Sequence, residues 1–109
     1  MSEVWCGIPV YNNAGTIADI VRRCKTQIAD IIVVDDGSTD ADLREVLKPM
    51  GVEVIRHPEN RGKGAALLTA VGFAAGRGAE YLITLDGDGQ HFPEDIPSRA
   101  GVRLSWNVR

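Results

Sequence analysis

The sequence predicts a single α/β domain in which four parallel strands are flanked by helices. Two observations support this prediction. Short apolar runs rich in β-branched residues alternate along the chain with segments whose apolar residues recur at helical spacing. Strands and helices that alternate in this way form a parallel sheet joined by right-handed crossovers. With 109 residues, of which 44% are hydrophobic, the chain is long enough to build one core.

The first half of the chain supplies two strands and the helix between them. Residues 4–10 form an apolar run that predicts the first strand, with Pro9 near its end. Residues 31–34 (Ile-Ile-Val-Val) are typical of a strand buried on both faces. The helix between the two strands is predicted by an apolar stripe at helical spacing: Ile17, Ile20, Val21, Cys24 and Ile28.

The second half repeats the alternation. Thr39, with Asp42 three residues later, resembles the capping box of a second helix, which Pro49 and Gly51 would end. The apolar face of this helix would be Leu43, Val46, Leu47 and Met50. The remaining predicted elements are a strand over 52–55, a helix of small residues over 62–76 and a strand over 81–85.

Polar residues follow each predicted strand, in the segments 9–13, 35–40, 57–64 and 86–90. Ligands of open α/β sheets bind outside the carboxyl ends of the strands, so these segments predict a nucleotide site. Asp36 can accept a hydrogen bond from a base or ribose, Tyr11 offers a flat face for stacking, and Arg61 and Lys63 can meet phosphate oxygens.

Each of these residues also has a purely structural interpretation. Asp35 and Asp36 could complement a helix dipole, Tyr11 could be a packing aromatic, and Arg61 and Lys63 could lie on a solvated loop. The two histidines, His57 and His91, are expected to be surface or loop residues rather than ligands.

Asp86 and Asp88 follow the fourth predicted strand on a glycine-flexible turn. Two carboxylates one residue apart present the oxygen ligands that Mg²⁺ or Mn²⁺ prefers. The alternative is an ordinary turn, in which Asp and Gly are common. Residues 1–98 carry a net charge of −6, so they would repel an anionic ligand unless a cation bridged the two.

Composition excludes several other functions. The net charge of −3 does not indicate a nucleic-acid-binding surface. Cys6 and Cys24 are expected to be buried thiols rather than a disulfide or a metal pair. No run approaches the roughly 18 apolar residues of a membrane span, and the start lacks a signal-peptide pattern. These observations favour a cytoplasmic location.

Four segments occur in an order and at a spacing that resemble a known family: Ile-Pro-Val-Tyr-Asn at 8–12, Val-Val-Asp-Asp-Gly-Ser-Thr-Asp at 33–40, Asn-Arg-Gly-Lys-Gly-Ala-Ala at 60–66 and Asp-Gly-Asp-Gly-Gln-His at 86–91. They resemble the family 2 glycosyltransferases of the GT-A fold, most closely the dolichyl-phosphate (polyprenyl-phosphate) mannosyl- or glucosyltransferase branch. The resemblance covers roughly residues 4–97. It implies a Rossmann-like GT-A nucleotide-binding half with strand order 3-2-1-4.

The resemblance also implies a site for a UDP- or GDP-sugar donor and a divalent cation, Mg²⁺ or Mn²⁺. The cation would bind Asp86, Asp88 and Gln90, and it would stabilise charge on the leaving nucleotide. Family members usually have Glu where this chain has Asn13, so that contact would be weaker. The implied nucleotide-binding residues are Pro9, Tyr11, Asn13, Val34, Asp36, Arg61, Lys63, Asp86, Gly87 and Asp88.

Family members continue through an acceptor-binding half that supplies the catalytic base, and no residue of this chain is assigned that role. We expect residues 1–97 to be the nucleotide-sugar-binding part and 98–109 to be an atypical or truncated tail. The acceptor would be a polyprenyl phosphate or a glycan, and a polyprenyl phosphate would bring peripheral contact with a membrane. Loss of the acceptor half would expose the edge of the fourth strand, from which we expect self-association.

Three alternatives compete with the glycosyltransferase interpretation. A haloacid-dehalogenase-type phosphatase needs a Lys and an acidic pair downstream of its Asp-x-Asp, for which no chain remains. A receiver domain needs a phosphoacceptor Asp after its third strand, where this chain has residues 56–60 without an Asp. The stronger alternative is a nucleotide-binding half-domain without catalytic activity, which an assay of sugar transfer would distinguish.

Overall fold

The computed structural model describes residues 4–85 and the backbone of 102–103. In chain order the elements are β1 (Val4–Val10), α1 (Ala14–Cys24), β2 (Asp30–Asp35), α2 (Leu43–Leu47), a 3₁₀ turn (Lys48–Met50), β3 (Glu53–Arg56), α3 (Lys63–Gly76), β4 (Tyr81–Thr84) and β5 (Val102–Arg103). The predicted alternation of strands and helices is confirmed.

The strands form one sheet in the order β3-β2-β1-β4-β5. Strands β1 to β4 are parallel, with Ile8 opposite Val33 and Cys6 opposite Ile83 as examples of the register. The order 3-2-1-4 implied by the family resemblance is therefore confirmed. Because the strands are parallel, their carboxyl ends lie along one edge of the sheet.

A fifth strand corrects the expectation of an exposed edge at β4. Strand β5 pairs antiparallel with β4, with Tyr81 opposite Arg103 and Leu82 opposite Val102. The expectation that the β4 edge is exposed is wrong at Tyr81 and Leu82, because residues 102–103, from the segment 98–109, pair with them. Self-association stays a prediction, without this edge as its basis.

Helix α1 buries the predicted stripe on one face of the sheet, and it ends four residues earlier than the stripe does. Ile17, Ile20, Val21 and Cys24 are buried within the helix. Ile28 lies beyond the helix in a following turn, where its N–H donates to the carbonyl oxygen of Cys24 at 2.9 Å. Ile28 is still buried, so the apolar stripe continues past the end of the helix.

Helix α2 is shorter than predicted, and its cap differs from the expected capping box. Asp42 is itself the N-cap, and its carboxylate accepts a hydrogen bond from Arg44 N at 3.1 Å. Thr39 is not the cap, because the helix begins only at Leu43, and both the N–H and the hydroxyl of Thr39 donate to Asn12 Oδ1. Leu43 and Leu47 are buried, whereas Val46 is exposed, so the buried face of this helix is narrower than expected.

The core has two layers because side chains of β1 and β2 alternate between the two faces of the sheet. One face packs Cys6, Ile8 and Val33 with α1 and α2. The opposite face packs Trp5, Ile32, Val34 and Leu82 with the alanines of α3, which are Ala66, Ala70 and Ala74. A Cβ at Gly7 would lie 3.1 Å from Ala70 Cβ, so small residues on both sides allow α3 to lie close to β1. No helix in the described part of the chain is long and apolar enough to cross a membrane.

Candidate functional site

The segment Asp35–Asp40 connects the carboxyl ends of β1, β2 and β3. Backbone pairing continues past the strands, because Asp36 N donates to Val10 O and His57 N donates to Asp35 O, each at 2.8 Å. Asp35, Asp36, Ser38 and His57 are also the buried polar residues of the described chain. Polar groups out of contact with water need partners, so this segment must be held by hydrogen bonds.

Asp35 fixes the turn that follows β2. Its Oδ1 accepts a hydrogen bond from Ser38 N at 2.8 Å, and its Oδ2 accepts one from Arg56 Nη1 at the same distance. The Arg56 guanidinium also donates to Ser38 O at 3.1 Å. Both oxygens of a buried carboxylate are thus paired, and β3 is tied to the turn after β2.

Asp36 joins the turn after β2 to the start of α3. Its Oδ1 accepts from Arg61 N at 2.9 Å and lies 2.8 Å from His57 Nδ1, and its Oδ2 accepts from Gly62 N at 2.9 Å. Burial raises the pKa of this carboxyl, but the hydrogen bonds from His57, Arg61 and Gly62 lower it further than burial raises it. Asp36 is therefore a carboxylate at neutral pH, placed where a helix dipole favours negative charge.

Gly37 is the point at which the two loops touch. Its φ is +82°, and a Cβ built there would lie 2.5 Å from Asn60 N and 2.6 Å from Glu59 C. Both neighbours are backbone atoms, which cannot rotate away as a side chain could. Glycine is therefore required at this position for two separate reasons, its left-handed backbone and the close approach of the other loop.

Asn12 and Asp40 connect the same segment to the end of β1. Asn12 has a left-handed backbone with φ 54°, its N–H donates to Ser38 Oγ at 3.0 Å, and its Oδ1 accepts from Thr39 N at 2.8 Å. The Asp40 carboxylate accepts from Ala14 N at 3.0 Å and so caps α1 from a different loop. Asn13 occupies the N-cap position but makes no side-chain cap bond, and its Nδ2 donates to Tyr11 O at 3.3 Å.

The predicted nucleotide-binding residues of the described chain lie along this edge, but they differ in how accessible they are. Tyr11 is 47% exposed, and Arg61 and Lys63 are also exposed. Asn13 is half-buried, and Asp36 is buried. Pro9 and Val34 are paired in neighbouring strands and buried, with Val34 packed in the α3 layer of the core. The side chains of Tyr11, Arg61 and Lys63 are therefore the ones accessible to a ligand.

The predicted metal residues Asp86, Asp88 and Gln90 lie outside the described residues, as do Gly87 and His91. Within residues 4–85 and 102–103, no group of three or more His, Cys, Asp or Glu could hold a metal ion. Leu85 N donates to Gly7 O at 3.0 Å, so pairing between β4 and β1 continues to the residue before Asp86.

Three residues take part in this hydrogen-bonded arrangement in ways that the sequence did not predict: His57, Asn12 and Asp40. His57 was expected to be a surface or loop residue; it lies in the loop after β3, but it is buried there between Asp36 and Thr69. The roles of Asn12 and Asp40 depend on partners more than twenty residues away. A signal for Asn12 was available, since Asn is among the few residues other than Gly that tolerate a left-handed backbone.

Comparison with known proteins identifies the family. The family model described as Glycosyl transferase family 2 matches residues 5–101. The chain belongs to this family. Its structure has the GT-A architecture, a parallel sheet of order 3-2-1-4 with helices on both faces, and residues 102–103 add the short antiparallel strand.

Curated relatives of this family 2 chain include two whose names specify polyprenyl acceptors. UDP-N-acetylglucosamine–dolichyl-phosphate N-acetylglucosaminyltransferase of Methanococcus voltae is 34% identical, and the match covers 82% of this chain and 42% of the relative. Polyprenol monophosphomannose synthase of Mycolicibacterium smegmatis is 35% identical, with 82% of this chain and 36% of the relative covered. This chain thus spans about two-fifths of the length of these relatives.

Solved structures agree on the fold. Residues 1–349 of S. aureus TarS superimpose with a TM-score of 0.69 at 24% identity, over 88% of this chain and 30% of that one. At this identity the likeness concerns the fold alone.

Substitution of Gly37 tests the contact between the two loops. We expect Gly37→Ala to lower the free energy of unfolding by roughly 3 kcal/mol, because a left-handed alanine and a backbone clash add together. Gly51→Ala is the matched control, since Gly51 has φ +66° and nothing within 4 Å of its Cβ position. That control should cost only about 1 kcal/mol. Urea denaturation of both variants measures the difference, and equal losses would contradict the close approach at Gly37.

The lowered pKa of Asp36 predicts a dependence of stability on pH. A carboxyl whose pKa is lowered by folding stabilises the protein above its ordinary pKa of 3.8, and this stabilisation is lost as the pH falls through the lowered value. Asp36→Asn lacks this contribution, so it should be less stable than the parent by about 2 kcal/mol near pH 6. The difference should shrink as the pH falls below 3.8 and through the lowered pKa of Asp36.

Urea denaturation across this pH range measures the effect, and Asp19→Asn is the control. Asp19 is an exposed residue of α1 that pairs only with Arg22 and Arg23 among the described salt bridges. Its substitution should change stability little at any pH. A difference between the parent and Asp36→Asn that is independent of pH would contradict the role assigned to the Asp36 charge.

Proposed function

We propose that this chain is the donor-binding part of a glycosyltransferase that transfers a sugar from a UDP- or GDP-sugar to a polyprenyl phosphate. The observation that supports this most strongly is the arrangement around Asp36, which anchors the start of α3 beside exposed Arg61 and Lys63. The family match supports sugar transfer as the reaction class. The names of the two relatives support a polyprenyl phosphate as the acceptor.

The start of α3 is proposed to bind the diphosphate of the donor. The helix has 14 residues and no acidic residue in its first turn, and the only carboxylate described at its start is that of buried Asp36, which is paired with Arg61 N and Gly62 N. First-turn amides lack partners inside a helix and commonly bind phosphate. Positions Gly62 and Gly64 have nothing within 4 Å of where a Cβ would lie, which leaves room for phosphate oxygens.

Tyr11 is proposed to bind the base. Tyr11 is exposed at the end of β1 and offers an aromatic face for stacking. Asp36 is buried, so it is proposed to shape the ribose side of the site by holding the backbone of Arg61 and Gly62. Pro9 and Val34 are buried, so their part in the site would be to shape its floor through the backbone.

Asp86, Asp88 and Gln90 are proposed to hold Mg²⁺ or Mn²⁺. Their oxygen atoms are the ligands these ions prefer. Strand β4 stays paired with β1 as far as Leu85, the residue that precedes Asp86 in the sequence. When bound, the cation would offset the negative charge that develops on the departing nucleotide diphosphate.

A second candidate function is nucleotide binding without sugar transfer. This candidate is supported by the extent of the match, because the chain spans only about two-fifths of the length of the two relatives described above. If the rest of the enzyme binds the acceptor and supplies the base, the chain alone would bind the donor and transfer nothing. With a polyprenyl-phosphate acceptor, the complete enzyme would act at a membrane surface.

Binding of UDP and GDP tests the donor site and its metal. We expect either nucleotide to bind at least roughly tenfold more tightly with Mn²⁺ or Mg²⁺ than without, because clustered carboxylates otherwise repel the diphosphate. Asp88→Ala should abolish most of this metal-dependent gain, whereas Asp19→Ala, on the exposed face of α1, should retain it. Isothermal titration calorimetry measures both. Affinity that is indifferent to the metal, or Asp88→Ala binding as tightly as the parent, would contradict the assignment.

A transfer assay then separates the two candidate functions. The chain is incubated with UDP- or GDP-sugars, Mn²⁺ and a short polyprenyl phosphate, and the glycosylated lipid is measured. Product would support the transferase itself, whereas nucleotide binding without product would support the donor-binding part acting alone.

A further inference from the structure

Three polar side chains, those of Asp36, His57 and Thr69, are connected by hydrogen bonds from the end of β2 to the interior face of α3. His57 Nδ1 lies 2.8 Å from Asp36 Oδ1, and His57 Nε2 lies 2.8 Å from Thr69 Oγ1. The His57 side chain is only 7% exposed, and Thr69 is half-buried. A buried histidine with a partner on each ring nitrogen is fixed in both position and orientation.

The positions of the hydrogen atoms between Asp36, His57 and Thr69 can be assigned from the hydrogen bonds that these side chains make. Asp36 is a carboxylate that accepts hydrogen bonds, so His57 Nδ1 carries the hydrogen between them. Thr69 Oγ1 donates to the carbonyl oxygen of Ala65 at 3.1 Å, which leaves its oxygen to accept from a protonated Nε2. With a neutral ring, the Thr69 hydroxyl would instead turn its hydrogen to Nε2. In both states the bond from Nδ1 to Asp36 is kept.

This bond matters because Asp36 also holds Arg61 and Gly62. The loop 57–62 is attached at its first residue through the His57 ring and at its last two through their backbone N–H groups, and all three attachments meet at one carboxylate. If His57 were apolar, Asp36 would lose its side-chain partner while remaining buried. A buried carboxylate with fewer partners is destabilised, so its hold on the loop would weaken.

We propose that His57 is a positioning residue of the donor site, which acts through Asp36 and Thr69 to fix Arg61 and the first turn of α3 where the donor diphosphate binds. The inference rests on the proposed function, since it assigns His57 a part in the same site. His57 itself is buried, so its proposed role is exerted through the residues that it contacts.

The test compares three variants by their affinity for UDP and GDP in the presence of Mn²⁺. His57→Asn places an amide donor where Nδ1 lies, so it should bind within about threefold of the parent. His57→Leu has a similar bulk and no donor, and it should bind on the order of tenfold more weakly. Thr69→Val removes only the hydroxyl that contacts His57 Nε2, so its loss of nucleotide affinity should lie between those of the other two variants.

Amide hydrogen exchange supplies a readout that does not depend on the nucleotide. The N–H groups of Arg61 and Gly62 donate to Asp36, so they should exchange faster in His57→Leu than in the parent. In His57→Asn they should stay protected. Val21→Ala is the control for general destabilisation, because Val21 lies in α1 on the opposite face of the sheet. It should lower stability without changing nucleotide affinity.

The outcomes separate the inference from the function on which it rests. If His57→Leu binds nucleotide as tightly as the parent, or loses no more affinity than Val21→Ala, the positioning role is wrong while the donor site stands. If His57→Asn loses as much affinity as His57→Leu, the role of the Nδ1 donor is likewise wrong. If the parent binds neither UDP nor GDP with Mn²⁺, the proposed function fails and the inference fails with it. If His57→Leu does not fold, Thr69→Val binding as tightly as the parent overturns the proposal.

Discussion

The conformation of the carboxyl edge of the sheet is constrained by two neighbouring carboxylates that are buried at the end of β2. Asp35 and Asp36 are 1% and 3% exposed, and charges removed from water are tolerated only when their oxygens are paired. The chain satisfies them with backbone N–H groups and with side chains from the end of β3. The conformations of the loops that follow β2 and β3 are therefore set by the need to pair these two groups.

The parallel sheet explains why this constraint reaches the whole edge. Helices cover both faces, so the strand interiors are apolar and the polar residues collect where the strands end. Segment 35–40 then contacts the loops on either side of it, through Asn12 toward β1 and through Gly37 toward β3. An edge held by this many hydrogen bonds is suited to holding a ligand in one orientation.

Much of the fold was predictable from local sequence patterns. Apolar runs located the strands to within one or two residues, helical spacing located α1, and a run of small residues located α3. Errors arose where distant contacts override a local pattern. The local sequence predicts Thr39 as a helix cap. In the structure Asp42 is the cap, and the N–H of Thr39 donates to Asn12. The pairing of residues 102–103 with β4 has no local signature either, because a strand of two residues is defined only by its neighbour.

The same distinction holds at the candidate site. The types of residue expected there, carboxylates at the end of β2 and cations before α3, could be predicted, because parallel strands bring their ends together. The burial of His57 could not be predicted, since it follows from the approach of loop 57–62 to Gly37 and to α3. The solvent exposure of the site residues could also be learned only from the structure: Val34 lies in the core, whereas Tyr11 is exposed.

Amide chemical shifts mapped on binding of UDP and Mg²⁺ would show whether the loops organised by the buried carboxylates form the donor site. We expect the largest shifts at residues 11–13, 36–40 and 61–65, at the carboxyl edge of the sheet. Shifts confined to the opposite edge, at residues 28–30, 51–53 and 77–80, would contradict this assignment.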